Sequence, residues 1–256
     1  MNTESLVPNQ RPVAWIVGAS SGMGEQLAKS LVRAKYRVVL IARREDKLQA
    51  LAKQLNEGYS RPIAYAYAHD VTDFSGVPLL FAEILTQVKS LDLLVYMAGV
   101  MPEVQEDEFN FEKDQRTVQV NLMGALAWLN CAAERCLRTK HGHLVAVGSV
   151  AGDRGRRKSP AYAASKAALD TYMESLRNRL SQHGIDVTTI KPGPVRTPMT
   201  EGLGKLPLLI DAQDAASQIV QAIKGRKATA YVPKIWRPIM WGIKMIPSRI
   251  FRRLSI

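Results

Sequence analysis

Residues 16–25 read IVGASSGMGE, an apolar strand that runs into a turn carrying Gly18, Gly22 and Gly24. Glycine disfavours a helix interior by about 1 kcal/mol relative to alanine, and in a strand it offers no side chain to pack. A turn holding three of them is built for close backbone approach. Where such a turn opens a helix, it presents free N–H groups and the positive end of the helix dipole, a ready cradle for pyrophosphate. The spacing is G-x-x-x-G-x-G, not the commoner G-x-G-x-x-G.

Outward from this turn, apolar runs alternate with amphipathic stretches. Strands are expected at 13–17, 37–41, 62–68, 91–97, 143–148, 186–190 and 229–232. Helices are expected at 22–34, 44–56, 75–89, 114–138, 160–183 and 211–224. The strands are apolar throughout, as when helices cover both faces of a parallel sheet. The alternation predicts a single Rossmann-type, doubly wound α/β sheet of about seven parallel strands with right-handed crossovers. The glycine turn then occupies the site where such a fold binds a dinucleotide. Residues 1–232 form the expected catalytic domain and 233–256 a basic, amphipathic extension.

Composition agrees: 256 residues, 46% hydrophobic and 23% charged, supply one full core. MNTESLVPNQRP at the amino terminus has no apolar leader core, and no run reaches the roughly 18 apolar residues of a membrane span. Cys131 and Cys136 lie in one expected helix and read as reduced packing residues. His69, His141, His143 and His183 show no ligand spacing, and His141 and His143 read as loop residues. No metal site and a cytoplasmic location are expected. Net charge is +12, and no Asp or Glu follows Asp214. Such a tail fits an anionic membrane surface or a solvated face; no recognition motif favours nucleic acid.

Four further motifs sit at telling intervals. PAYAASKAAL holds Tyr162 and Lys166 as Y-x-x-x-K, and Ser149 lies thirteen residues before Tyr162, in VAVGSVAG. Asn121 lies in VQVNLMGAL, and IKPGPVRTPM follows the sixth strand. Over about residues 11–232 the chain resembles the short-chain dehydrogenase/reductase family. The chemistry of the residues is consistent with this. Tyr162 and Lys166 are one helical turn apart, with Cβ atoms about 6 Å apart. Free tyrosine, with a pKa near 10, is a poor acid–base at neutral pH. A nearby ammonium is expected to draw the phenol toward the working range. The resemblance implies that Tyr162 exchanges a proton with the substrate oxygen, and that Ser149 hydrogen-bonds that oxygen. It implies that Lys166 also holds the nicotinamide ribose and that Asn121 positions a relay water.

The end of the second strand indicates the cofactor. An acid there would bind a ribose 2′-hydroxyl. Here LIARRED places Ala42 at that position with Arg43 and Arg44 after it. A guanidinium suits a 2′-phosphate, so NADP(H) is expected, with Arg43 as principal contact and Arg44 or Ser20 assisting. The remaining expected contacts are Gly18, Ser21, Gly22, Met23, Gly24, Ala98, Gly99, Pro192 and Gly193. By resemblance, Asp70 and Val71 meet the adenine, and Val195 and Thr197 the nicotinamide amide. The family usually has threonine and asparagine where this chain has Val17 and Met97. These two are expected to face each other as an apolar replacement.

The favoured function is an NADPH-dependent carbonyl reductase for a lipophilic substrate. The alternative is an alcohol dehydrogenase running oxidatively. A non-catalytic NADP(H)-binding protein is disfavoured by the presence of both Tyr162 and Lys166. Arg154, Arg156, Arg157 and Lys158 form either an anion-recognising loop or a solvated one, and 200–209 suits a lid. A homodimer or homotetramer is expected, through Val118, Leu122, Ala125, Leu126 and Leu129 unless these face the sheet. Pro238 and Pro247 are expected to divide the tail into two short helices. That tail either covers the protein's own pocket or a neighbouring subunit, or contacts a membrane peripherally.

Overall fold

The computed structural model describes residues 11–254. The polar segment 1–10 lies outside them, as do the last two residues. Strand β1 (Val13–Val17) leads through the glycine turn into α1 (Gly22–Arg33), then β2 (Arg37–Ala42), α2 (Glu45–Asn56), β3 (Ala64–Ala68), α3 (Val77–Val88) and β4 (Leu93–Tyr96). The second half holds α4 (Phe111–Val118), α5 (Gly124–Thr139), β5 (His143–Val147), α6 (Pro160–Leu180) and β6 (Asp186–Pro192). It closes with β7 (Val195–Arg196), β8 (Ile210–Asp211), α7 (Ala212–Lys224), β9 (Thr229–Val232), α8 (Trp236–Met245) and α9 (Ser248–Phe251).

Seven strands form one parallel sheet in the order β3-β2-β1-β4-β5-β6-β9. Side chains alternate across it, so each strand feeds two cores. Ala14 and Ile16 pack with Leu27 and Leu31 of α1, Leu48 of α2 and Ile219 of α7. Val13, Trp15 and Val17 pack with Phe81 of α3, Trp128 of α5 and Met173 of α6. Both faces are covered, which is why the central strands are apolar at most positions. The order reverses between β1 and β4. That opens a crevice at their carboxyl ends, where this architecture binds ligands.

The two-residue alternation also corrects one expectation. Val17 lies opposite Tyr96 in the β1–β4 ladder. Val17 and Tyr96 share one core, whereas Met97 packs against the other. Val17 and Met97 therefore occupy opposite faces of the sheet and do not replace a polar pair.

His143 is likewise not a loop residue. It begins β5, is buried, and its Nε2 meets Thr188 Oγ1 at 2.8 Å. His141 stays in the exposed loop, 2.9 Å from Asp92. Burial pulls the His143 pKa from 6.5 to about 4. Between those values the unfolded chain binds the proton and the folded chain does not, so stability is lost as pH falls through that window. The difference is worth about 2–3 kcal/mol near pH 4.5. Urea unfolding at neutral and mildly acidic pH should show this loss, and His143→Gln should remove that share of it.

The long helix expected over 114–138 is broken. A π-helical turn at Gln119–Met123 separates α4 from α5. Ala125 and Leu129 face the core, while Val118, Leu122 and Leu126 are only half-buried. In the tail, Pro247 does separate two helices, but Pro238 lies inside the first turn of α8. There a missing N–H breaks no helical hydrogen bond.

Candidate active site

A cleft of about 850 Å³ opens at the carboxyl ends of β1, β2 and β4. It is lined by Gly18, Ser20, Ser21, Gly22, Met23, Gly24, Arg43, Arg44, Val71, Ala98, Gly99 and Thr197. Asp70 stands beside it. Pro192, Gly193 and Val195 do not line it: Pro192 ends β6, Gly193 lies against Trp236, and Val195 is buried in β7. A larger hollow of about 1020 Å³, lined by Arg11, Arg37 and Arg226 among others, sits at the other end of the strands, away from Tyr162 and Lys166.

The glycines divide the work of the turn. A Cβ on Gly18 would come within 2.6 Å of the Ala98 nitrogen, and φ there is +101°. A Cβ on Gly24 would strike the Gly18 carbonyl. These two let β1, β4 and α1 close together. Gly22, at φ +55°, instead faces Thr197 across the cleft, 3.1 Å from where its Cβ would lie. No side chain caps the amino terminus of α1. The Ser21 hydroxyl, which could have done so, accepts from Arg44 Nη2 at 2.7 Å. The start of the helix is left free for an anion, as pyrophosphate requires.

Arg44 also donates to Ser20 Oγ, through Nε at 3.2 Å and Nη2 at 2.9 Å. Arg43 extends toward Asp70, with Nη1 3.8 Å from Oδ2. Arg116 of α4, which the sequence reading missed, lies 3.4 Å from the same oxygen and lines the cleft. Burial alone would raise the Asp70 pKa. Hydrogen bonds from Thr72, with Arg116 and Arg43 nearby, outweigh it and hold the carboxyl below its usual range. The residues at this end fit a phosphorylated dinucleotide: a glycine cradle, a free helix terminus, and guanidinium groups with no acid at Ala42.

Behind Gly99 lie the four candidate catalytic residues, none of which lines the cleft itself. Ser149 follows β5 and accepts a hydrogen bond from the Ala151 nitrogen at 3.1 Å. Tyr162, in the first turn of α6, is close enough to Ser149 for that hydroxyl to act on its phenol. Lys166, one turn on, is buried and donates to the Val147 carbonyl at 2.8 Å. Asn121 sits on the π-helical turn, fully buried. Its Oδ1 accepts from the Val100 nitrogen at 2.8 Å, and its Nδ2 donates to the Val100 carbonyl at 3.0 Å and to Ser165 Oγ at 3.2 Å. The wider turn brings this amide to bear on the segment after β4, a common use of π-turns at functional sites. Gly99 joins the two halves of the site. A Cβ there would lie 3.4 Å from Asn121 Oδ1 and 3.6 Å from Lys166 Nζ.

The electrostatics differ from expectation. Lys166 Nζ is 5.8 Å from the centre of the Tyr162 ring and is turned to a carbonyl. Burial pushes the Tyr162 phenol above its ordinary value, and the Ser149 hydrogen bond only partly offsets this. Desolvation outweighs the ammonium, so Tyr162 keeps its proton at neutral pH. Burial also lowers Lys166, from 10.5 to about 8, against the pull of Asp170 one turn beyond.

Asp170 belongs to a cluster that sequence reading did not find. Lys191 bonds to Asp153 and lies 2.8 Å from Asp170 Oδ2, and the Tyr231 hydroxyl donates to Asp153 at 2.8 Å. The one available signal was Asp170 itself, an acid four residues after Lys166.

The basic loop neither stands free nor reaches into the cleft. Arg154 Nη1 donates to the carbonyls of Ile243, Lys244 and Ile246 at 2.7, 3.1 and 2.6 Å. Its guanidinium lies 4.0 Å from the Phe251 ring centre. Arg157 donates to the Arg252 carbonyl at 2.8 Å, and Arg156 rests on the Met240 sulfur. Three of the four cations thus clamp the C-terminal tail to the segment between Ser149 and Tyr162, while Lys158 stays exposed. Segment 200–209 is pinned at its ends by the β7–β8 pair, and Leu203 and Leu208 are exposed. Among the described residues no cluster of His, Cys, Asp and Glu could hold a metal ion, and no helix is long and apolar enough to cross a membrane.

Residues 12–206 match the family model described as short chain dehydrogenase. An uncharacterized oxidoreductase of Mycobacterium tuberculosis is 33% identical over 245 residues, covering 94% of this chain and 96% of its own. One from Staphylococcus epidermidis is 33% identical over 213 residues, covering 82% and 90%. Among solved structures, a short-chain dehydrogenase from Streptomyces avermitilis superimposes with a TM-score of 0.81 at 23% identity, over 91% of this chain and 93% of that one. An actinorhodin polyketide ketoreductase solved with NADPH gives 0.78 at 23% identity, over 87% and 95%.

Proposed function

This chain belongs to the short-chain dehydrogenase family and is an NAD(P)-dependent oxidoreductase, and on that footing we propose that it is an NADPH-dependent carbonyl reductase acting on a lipophilic ketone or aldehyde. The observation that carries the reading is Lys166 and Asn121 meeting at Gly99, which lines the cleft, with Tyr162 one turn before Lys166 on α6 and close to Ser149. The bound cofactor would supply the hydride. Ser149 orients the carbonyl oxygen. Tyr162, protonated at neutral pH, donates a proton to that oxygen as negative charge develops on it. Lys166 holds positive charge next to the phenol, and Asn121 fixes the segment after β4 and positions a relay water. The oxidative alternative would use the same residues in reverse, and a cellular excess of NADPH favours reduction.

Ala42, Arg43 and Arg44 support NADP(H) over NAD(H), with Arg43 on the 2′-phosphate and Arg44 and Ser20 assisting. The polyketide ketoreductase solved with NADPH agrees with this but is distant. Gly18 to Gly24 would hold the pyrophosphate, Asp70, Val71 and Ala98 the adenosine side, and Gly99 and Thr197 the nicotinamide side; Pro192, Gly193 and Val195 would act from behind the cleft wall. Residues 1–232 are the catalytic domain in this reading and 233–256 an extension of it. Half-buried Val118, Leu122 and Leu126 are the residues through which a homodimer or homotetramer would form. The protein acts in the cytoplasm and touches a membrane peripherally.

The test is NADPH oxidation with ketones of increasing chain length. The reading predicts turnover, with KM falling as the chain lengthens. No NADPH oxidation with any ketone or aldehyde would overturn it.

A further inference from the structure

Helix α8 has two unlike faces. Trp236, Ile239, Met240 and Ile243 pack on Val150 and Tyr231. Four residues apart on the other side, Arg237, Trp241 and Met245 form a stripe that points to solvent. Trp241 is 70% exposed and Met245 67%, with Ile235 and Ile250 about half-exposed before and after them in the chain. Large apolar side chains gathered this way mark a contact surface. Around them stand Lys234, Lys244, Arg249, Arg252 and Arg253, all exposed, and the chain has no carboxylate after Asp214.

We propose that this outward face of the tail docks on a bilayer of anionic phospholipids. Charge complementarity selects the occupant. A second copy of this chain would bring the same uncompensated cations against these, whereas an anionic headgroup layer neutralises them. An indole and a thioether flanked by Lys and Arg match the boundary between headgroups and acyl chains. With no helix able to cross a membrane among the described residues, the tail lies on the surface. Its buried side is clamped by Arg154 and Arg157 to the loop between Ser149 and Tyr162. Docking therefore anchors that loop through the tail, which lies between it and the lipid. This deepens the reading of a lipophilic substrate and rests on it for its purpose, but the test does not use turnover.

Trp15, Trp128 and Trp236 are buried, so Trp241 is the tryptophan that can meet lipid. The intact protein is titrated at low salt with phosphatidylcholine vesicles, with and without phosphatidylserine, some carrying brominated acyl chains. Expected are a blue shift and bromine quenching with phosphatidylserine vesicles, both reversed by salt. Trp241→Phe with Met245→Ala should weaken cosedimentation by at least ~tenfold, and Arg237→Glu with Lys244→Glu by as much or more. The proposal is overturned by no binding to phosphatidylserine vesicles, by equal binding to phosphatidylcholine alone, or by variants that bind as well as wild type. It is also overturned if light scattering shows self-association that shields Trp241 without lipid. Loss of reductase activity with docking intact would count against the proposed reaction and leave the docking standing.

Discussion

Tyr162→Phe is expected to lower kcat by ~10²–10⁴, the usual worth of a positioned general acid, while NADPH affinity changes less than about threefold. The reason is spatial. Gly18, Gly22, Gly24, Arg43 and Arg44 line the cleft, whereas the phenol does not. Only the hydroxyl is lost, and the ring remains beside Lys166. Burial raises the wild-type phenol, so proton donation persists across the neutral range. The pH profile should be limited on its alkaline side by Lys166, held at about 8, before Tyr162 titrates. Losing the ammonium removes the positive charge next to the phenol just as it must give up its proton. Steady-state kinetics with fluorescence titration of NADPH separate the two effects. A variant that turns over like wild type would remove Tyr162 from the chemistry.

Ala42→Asp combined with Arg43→Ala is expected to reverse cofactor preference, moving the NADPH/NADH ratio of kcat/KM by at least ~10². A hydrogen bond to a charged group is worth about 1.5–3 kcal/mol, and an introduced carboxylate adds repulsion of the 2′-phosphate. Ala42 ends β2 and lines the cleft, so an acid there stands at its rim. Arg44 stays in the double variant on Ser20 and Ser21. Adding Arg44→Ala should extend the shift. A double variant that still prefers NADPH as strongly as wild type would place the determinant elsewhere.

What was legible in the sequence was whatever depends on local pattern. VAWIV and RVVLI read as buried strands because both sheet faces are covered. The glycine turn falls between β1 and α1, and Tyr162 and Lys166 one turn apart on α6, because one strand end and one helical turn set their geometry. Features that depend on how distant segments meet were not legible. Val17 and Met97 fall on opposite sheet faces through the β1–β4 register. His143 is buried by β6, forty-odd residues away, through Thr188. The π-turn at Asn121 has no compositional mark, since Gln119–Met123 would serve equally well in an α-helix. Arg154 looked like a free cation because its acceptors are main-chain carbonyls some ninety residues on. The Tyr162 phenol was expected to be acidified by Lys166. The ammonium is committed to Val147, and desolvation, which a sequence does not display, prevails.

The central claim is that Tyr162, Ser149 and Lys166 direct the reduction of a carbonyl by NADPH. Its most direct test is mass spectrometry of the product formed from a long-chain ketone and NADPH deuterated at nicotinamide C4, in the transferable position. The account predicts an alcohol with one deuterium on its carbinol carbon, formed by wild type and not by Tyr162→Phe. An alcohol without deuterium at that carbon, or equal deuterium incorporation by the Tyr162→Phe variant, would contradict it.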